Sequence, residues 1–146
     1  MSLNLAIHTQ LISKIKSTLS SVDSIKEVVA YPSGGNFDNY PAVVFFPDSF
    51  ENDFSTTKTN EKIYRFKMWI VVNAETFTTE EVFEEILPKN VDEVLEKFDE
   101  DWDYGTINGH RARALINSGF WGMGEEENGK VAWAELDLLI KVQTDN

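Results

Sequence analysis

The chain reads as an α+β domain: a mixed, mainly antiparallel sheet of about five strands, with an N-terminal helix and a kinked mid-chain helix packed on one face. Three observations predict it. Ile7, Leu11, Ile15 and Leu19 recur at helical spacing near the start. Lys62 to Val72 and Val131 to Val142 alternate between two faces, as half-buried strands do. A second helical stripe lies between those strands, and runs of neighbouring strands with segregated helices favour two layers over a wound parallel sheet.

The first helix carries one apolar stripe, with Leu3 and Ile12 beside it, so it must lie on something else. Glu27 to Tyr31 carries Val28, Val29 and Tyr31 and stops at Pro32-Ser33-Gly34-Gly35, a turn cluster. Ala42 to Phe46 is apolar on both faces, as in a strand covered on both sides. Pro41 and Pro47 bracket it and predict ends that leave the ladder. Asp48 to Asn60 reads as a polar loop holding Phe50 and Phe54.

Along the next strand Tyr64, Phe66, Met68, Ile70 and Val72 share a face. Thr78-Thr79-Glu80-Glu81 has capping-box spacing, with Thr78 as N-cap. Phe83, Leu87, Val91, Val94, Leu95, Phe98 and Trp102 follow at helical spacing. Pro88 removes one helical hydrogen bond, so a kink or two tandem helices are expected, with Asn90 and Glu93 capping the second. Asp103 to His110 reads as a loop or tight turn, and Arg111 to Phe120 as a strand. Gly119 to Lys130 reads as the link to the last strand, whose Ala132, Ala134, Leu136, Leu138, Ile140 and Val142 mark the core face. No linker divides the chain, so residues 1–146 form one expected domain.

Composition narrows function. The 146 residues include 13 Lys and Arg against 25 Asp and Glu, a formal charge of −12 that opposes wrapping of nucleic acid. Ten Phe, four Tyr and four Trp argue against a disordered chain. No apolar run reaches a membrane span and the start lacks a signal-peptide pattern, so no membrane association is expected. Without Cys there is no disulfide, thiolate nucleophile or Cys-ligated metal.

The acidic run Asp99-Glu100-Asp101-Trp102-Asp103-Tyr104-Gly105 alternates like a calcium loop. It places Tyr where that loop needs Gly and His110 where it needs Glu, so it reads as an acidic helix end running into a turn. His8 and His110 are too far apart to form a ligand pair, and no Ser lies in a nucleophile-elbow pattern. Gly119 to Gly124 lacks the order of a phosphate-binding fingerprint and reads as a hairpin loop exposing Phe120 or Trp121, a contact for a partner protein. Acidic residues gather along the mid-chain helix and at Glu125, Glu126 and Glu127, where they read first as a source of solubility and second as a surface that does not adhere to DNA. The expectation is a protein with no catalytic residues, no metal and no cofactor.

The N-terminal helix, the strand Pro41-Ala42-Val43-Val44-Phe45-Phe46-Pro47, the strand Lys62 to Val72, the mid-chain helix and the closing strand Ala132 to Val142 together resemble the tail terminator (tail completion) proteins of long-tailed bacteriophages. The resemblance spans nearly the whole chain in element order, without a short diagnostic motif. It implies a structural virion protein, assembled in the host cytoplasm and sited at the head–tail junction. Its subunits would form a hexameric ring that caps the tail-tube protein and joins the head connector or head-completion protein. Phe50, Phe54, Phe120 and Trp121 would then be interface residues. Glu125, Glu126 and Glu127 would face a lumen through which DNA passes as cargo. The alternative from the residues alone is a small α+β ligand-binding or protein-interaction domain of bacterial origin, with a pocket between sheet and helices. A hydrolase using the acidic run near Asp99 to Asp103 is a third and weaker reading.

Overall fold

The structure, a computed structural model, describes residues 6–31, 37–53, 59–126 and 129–145. Its elements are α1 (Ile7–Ser20), β1 (Glu27–Ala30), β2 (Ala42–Asp53), β3 (Thr59–Asn73), α2, β4 (Asp103–Ile107), β5 (His110–Glu126) and β6 (Gly129–Asp145). Helix α2 has three successive segments: an α-helical turn Thr79–Glu81, a π-helical stretch Val82–Ile86 and an α-helical stretch Leu87–Glu100. The fold is α+β. The sheet has six strands in the order β1-β2-β3-β6-β5-β4, parallel between β1 and β2 and antiparallel elsewhere.

The expected core face is the observed one. Leu136, Leu138 and Ile140 of β6 lie opposite Met68, Phe66 and Tyr64 of β3. Leu11, Ile15 and Leu19 of α1 join Leu87, Val91, Val94 and Phe98 of α2 in one buried cluster with them. Both helices lie on this face because each has a single apolar stripe to bury.

Several expectations change. Strand β2 does not stop at Pro47 but runs on to Asp53 past a bulge between Pro47 and Ser49. Most of the expected Asp48–Asn60 loop is therefore a hairpin arm. Pro47 is tolerated because β1 covers only Ala42–Phe45, so the N–H it lacks would have met no partner strand. The expected Gly119–Lys130 link is likewise strand: Phe120 pairs with Glu135, Trp121 with Ala134 and Glu126 with Gly129. Asp103–Ile107 forms the short sixth strand, joined to β5 through Asn108 (φ 53) and Gly109 (φ 83). Two successive positive φ values make the primed turn that suits a hairpin.

Helix α2 is continuous across Pro88. The capping box at its start forms as expected, with Glu81 N–H donating to Thr78 Oγ1 at 3.1 Å. The π-helical stretch precedes the proline, and Leu87 N–H reaches back to Val82 O. This wider turn lets the chain pass Pro88, which offers no N–H of its own. Asn90 caps nothing; it is buried inside the helix, and its Nδ2 donates to Ile86 O at 2.8 Å.

Candidate functional site

The β2–β3 and β5–β6 pairs extend as long hairpin arms, and Phe50, Phe120 and Trp121 lie on them, while Tyr31, Phe77 and Trp102 are exposed elsewhere. Phe50 on the β2 arm is 79% exposed; Phe120 and Trp121 on the β5 arm are 58% and 51% exposed. Pairing settles their faces, because residues opposite one another share a side of the sheet. Phe50 faces Tyr64 and Trp121 faces Ala134, both on the helix side. Phe120 faces Glu135, on the side the helices leave uncovered. Adjacent aromatics on one strand thus point to opposite surfaces. Glu125 is exposed and opposite Lys130 near the end of its arm. Phe54, Glu127 and the side chain of Glu126 lie outside the described residues, as do Leu3 and the Pro32–Gly35 cluster.

The uncovered sheet face holds residues not singled out by their sequence positions. Phe46 and Trp69 stack with ring centroids 5.0 Å apart and 19° between planes. Leu115 on this face is exposed. Its neighbour across the ladder is Leu139. Met123, on the helix side of β5, is also exposed. The signal was present in the alternation of Lys62–Val72, but only the strand order shows which strands join that face.

Polar contacts organise the centre of this face. Lys67 Nζ meets Asp137 Oδ1 at 2.6 Å, and Ser118 Oγ donates to Asp137 Oδ2 at 3.0 Å. The hydrogen bond from Lys67 holds the Asp137 carboxyl below its usual range, and the same bond raises the Lys67 ammonium above its own. Arg65 pairs with Glu51 at 3.0 Å and Arg113 approaches Glu61 at 3.8 Å. Cations and acids are mixed on this face. The surplus of acids lies instead on α2, with Glu80, Glu81, Glu84, Glu85, Asp92, Glu93, Glu96, Asp99 and Glu100 against Lys89 and Lys97.

The acidic run after α2 is divided by the fold. Asp101 pairs with Lys97 and Asp103 with Arg111, while Asp103 Oδ1 accepts from Gly105 N–H at 2.9 Å. Among the described residues no group of three or more His, Asp or Glu is arranged to hold a metal ion. His8 lies over Phe66, ring centroids 5.8 Å apart, and meets Tyr31 Oη at 2.8 Å. His110 starts β5 opposite Ile107, at the tight turn from β4. Tyr104 is buried beneath α1, its hydroxyl 3.2 Å from Thr18 Oγ1. Thr18 spends its own proton on Lys14 O, so Tyr104 is the donor. Burial pushes the Tyr104 pKa up to about 12.

Between α2 and the β5 arm runs an apolar groove of about 260 Å³, lined by Val91, Leu95, Ile116, Trp121 and Leu136 among others. The arrangement offers aromatic anchors on two separate arms and an apolar groove beside one of them. Hydrophobic anchors of this kind serve macromolecular contact. Comparison of the chain with protein-family models and with curated proteins finds no match.

Proposed function

We propose that the chain is a structural subunit that acts by assembly rather than catalysis, as a tail terminator of a long-tailed bacteriophage does. Its copies form a hexameric ring that caps the tail tube and presents a surface to the head connector. One observation carries this reading: Phe50 on one arm and Trp121 on another are exposed anchors at separate places on one subunit. A closed ring needs two different patches on each copy, one to give and one to receive. A two-fold dimer needs only one.

The acidic surplus suits the same reading. An acidic wall, including Glu125 to Glu127, repels phosphate and lets DNA pass without being held. The protein would reside in the virion at the head–tail junction after assembly in the host cytoplasm. Among the described residues no helix is long and apolar enough to cross a membrane.

Native mass spectrometry of the purified chain at micromolar concentration tests the assembly. A hexamer is expected, and a monomer at every concentration would remove the ring. Addition to polymerising tail-tube protein tests the role: capped tubes of restricted length are expected, and unchanged growth overturns it. The groove between α2 and β5 favours one other reading, a small ligand-binding domain. That reading expects a monomer whose melting temperature rises with an apolar ligand.

A further inference from the structure

Both ends of the sheet are only half covered. Strand β1 pairs with Ala42–Phe45 of β2, and the last bond runs from Tyr31 N–H to Phe45 O. Strand β4 pairs with the start of β5, and the last bond there runs from Ala114 N–H to Trp102 O. Beyond these points, among the described residues, no strand pairs with the outer edge of β2 from Pro47 to Asp53 or of β5 from Leu115 to Glu126. Open edges are usually guarded by Lys, Pro or bulges. The β2 arm has Pro47 and a bulge beside it. Past its own bulge at Ile116/Ser118, β5 reads Gly119-Phe120-Trp121-Gly122-Met123-Gly124, with neither Lys nor Pro.

The backbone groups on these edges face outward at known positions. Ala114, whose N–H points outward, lies opposite Ile140. Gly119, Trp121 and Met123 lie opposite Leu136, Ala134 and Ala132, which alternate in step with Ile140, so their N–H and C=O point outward too. On β2 the outward carbonyl of Phe45 lies opposite Met68, and Phe50 and Asn52 lie opposite Tyr64 and Lys62, in the same step.

We propose that the free edge of the β5 arm accepts the β2 arm of a second copy as an added antiparallel strand, with Phe50 of that copy entering the groove beside Trp121. The proposal rests on the ring reading and names its interface. Strand direction favours it: two antiparallel steps bring β2 to β6 and a third to β5, so β2 and β5 of one sheet run opposite ways. Through Tyr64 and Ile140, Phe50 lies level with Ala114, where β4 still covers β5. A rotated neighbour therefore meets this edge in antiparallel direction and must also be staggered along the strands, from the level of Ile140 to that of Ala134, to bring Phe50 beside Trp121. Coverage is complementary as well. Strand β1 occupies the first part of β2 and β4 the first part of β5, so the added arm lies where β4 has stopped, and the β5 arm ends where the neighbour's β1 begins.

Face and charge agree. Phe50 and Trp121 are both on the helix side, so in a continued sheet Phe50 falls on the side of the groove lined by Val91, Leu95, Ile116 and Leu136. The β2 arm carries Asp48 and Glu51. Antiparallel addition directs its far end away from Glu125 near the end of the β5 arm; parallel addition would bring the acids of the two arms together. Because the giving and receiving edges differ, the contact propagates around a ring instead of ending at a dimer.

The chain contains no Cys, so Phe50→Cys with Trp121→Cys in one chain supplies the only thiols. A short bis-maleimide is expected to give a covalent ladder whose largest member matches the native mass of the unmodified protein. Each single variant is expected to stay monomeric on a denaturing gel. Hydrogen exchange on the unmodified protein needs no substitution: the amides of Phe50, Asn52, Trp121 and Met123 are expected to slow in the assembly relative to dilute subunit. A ring that gives no ladder and unchanged exchange at these amides overturns the interface and leaves the ring reading standing. Dimers from Trp121→Cys alone mean that β5 pairs with itself and overturn the proposal. A monomer at all concentrations overturns both readings.

Discussion

The indole of Trp133 occupies the space that a side chain at Gly122 would need. A Cβ at Gly122 would lie 2.5 Å from Trp133 Cε2 and 2.6 Å from its Nε1. The two residues are opposite each other on β6 and β5. At Gly124 the same ring is 3.1 Å from a Cβ. These glycines serve close packing inside a strand rather than a turn.

Gly122→Ala is accordingly expected to destabilise, although alanine suits a strand no worse than glycine. Forcing the indole aside costs about 1 to 3 kcal/mol, as overpacking does. Chemical denaturation of the variant measures it. An unchanged midpoint would show that Trp133 moves freely.

Leu138 is fully buried and lies between Phe66 on β3 and Ile116 on β5. Leu138→Ala is expected to cost about 2 to 5 kcal/mol, since a central site between two strands cannot collapse onto the space vacated. Thermal unfolding reads this as a lower melting temperature. An unaltered value would contradict the core assignment.

Tyr104 predicts an alkaline limb. Its folded pKa of about 12 exceeds the ordinary value of 10.0, so the folded state prefers the neutral phenol. Its contribution is whole below pH 10 and is lost as pH rises toward and through 12. Tyr104→Phe loses a hydrogen bond worth about 1 kcal/mol at pH 7. It is expected to lose less stability than the unmodified protein between pH 10 and 12. Parallel slopes in that range would refute the assignment.

Asp137 predicts an acid limb. Its folded pKa is lowered by Lys67, so its contribution is present above the ordinary value of 3.8 and fades as pH falls through the folded value. Lys67 behaves oppositely: its part is present below the ordinary value of 10.5 and is lost at higher pH. The pair is partly exposed, so Asp137→Asn is expected to cost about 1 kcal/mol or less at pH 7. Denaturation at several pH values should show the gap between variant and unmodified protein closing in acid. A gap that persists there points to lost packing instead.

Much of this protein was determined by local pattern alone. Leu11, Ile15 and Leu19 announced a helix with one buried stripe, and Ala132 to Val142 announced the core face of a strand. Thr78 and Glu81 announced a helix start. In each case the burial direction follows from a period within one segment. The ends of the strands were decided only by the fold. Asp48–Asp53 and Gly119–Glu126 are polar or glycine-rich, so their own propensities read as loop, and pairing with β3 and β6 overrides them. Gly122 is the clearest instance, a turn residue by sequence that becomes a strand residue because Trp133 needs its space. Phe50, Phe120 and Trp121 were visible as exposed aromatics. Their division between two faces and two arms depends on register, which one residue of bulge reverses, and no segment carries that information by itself.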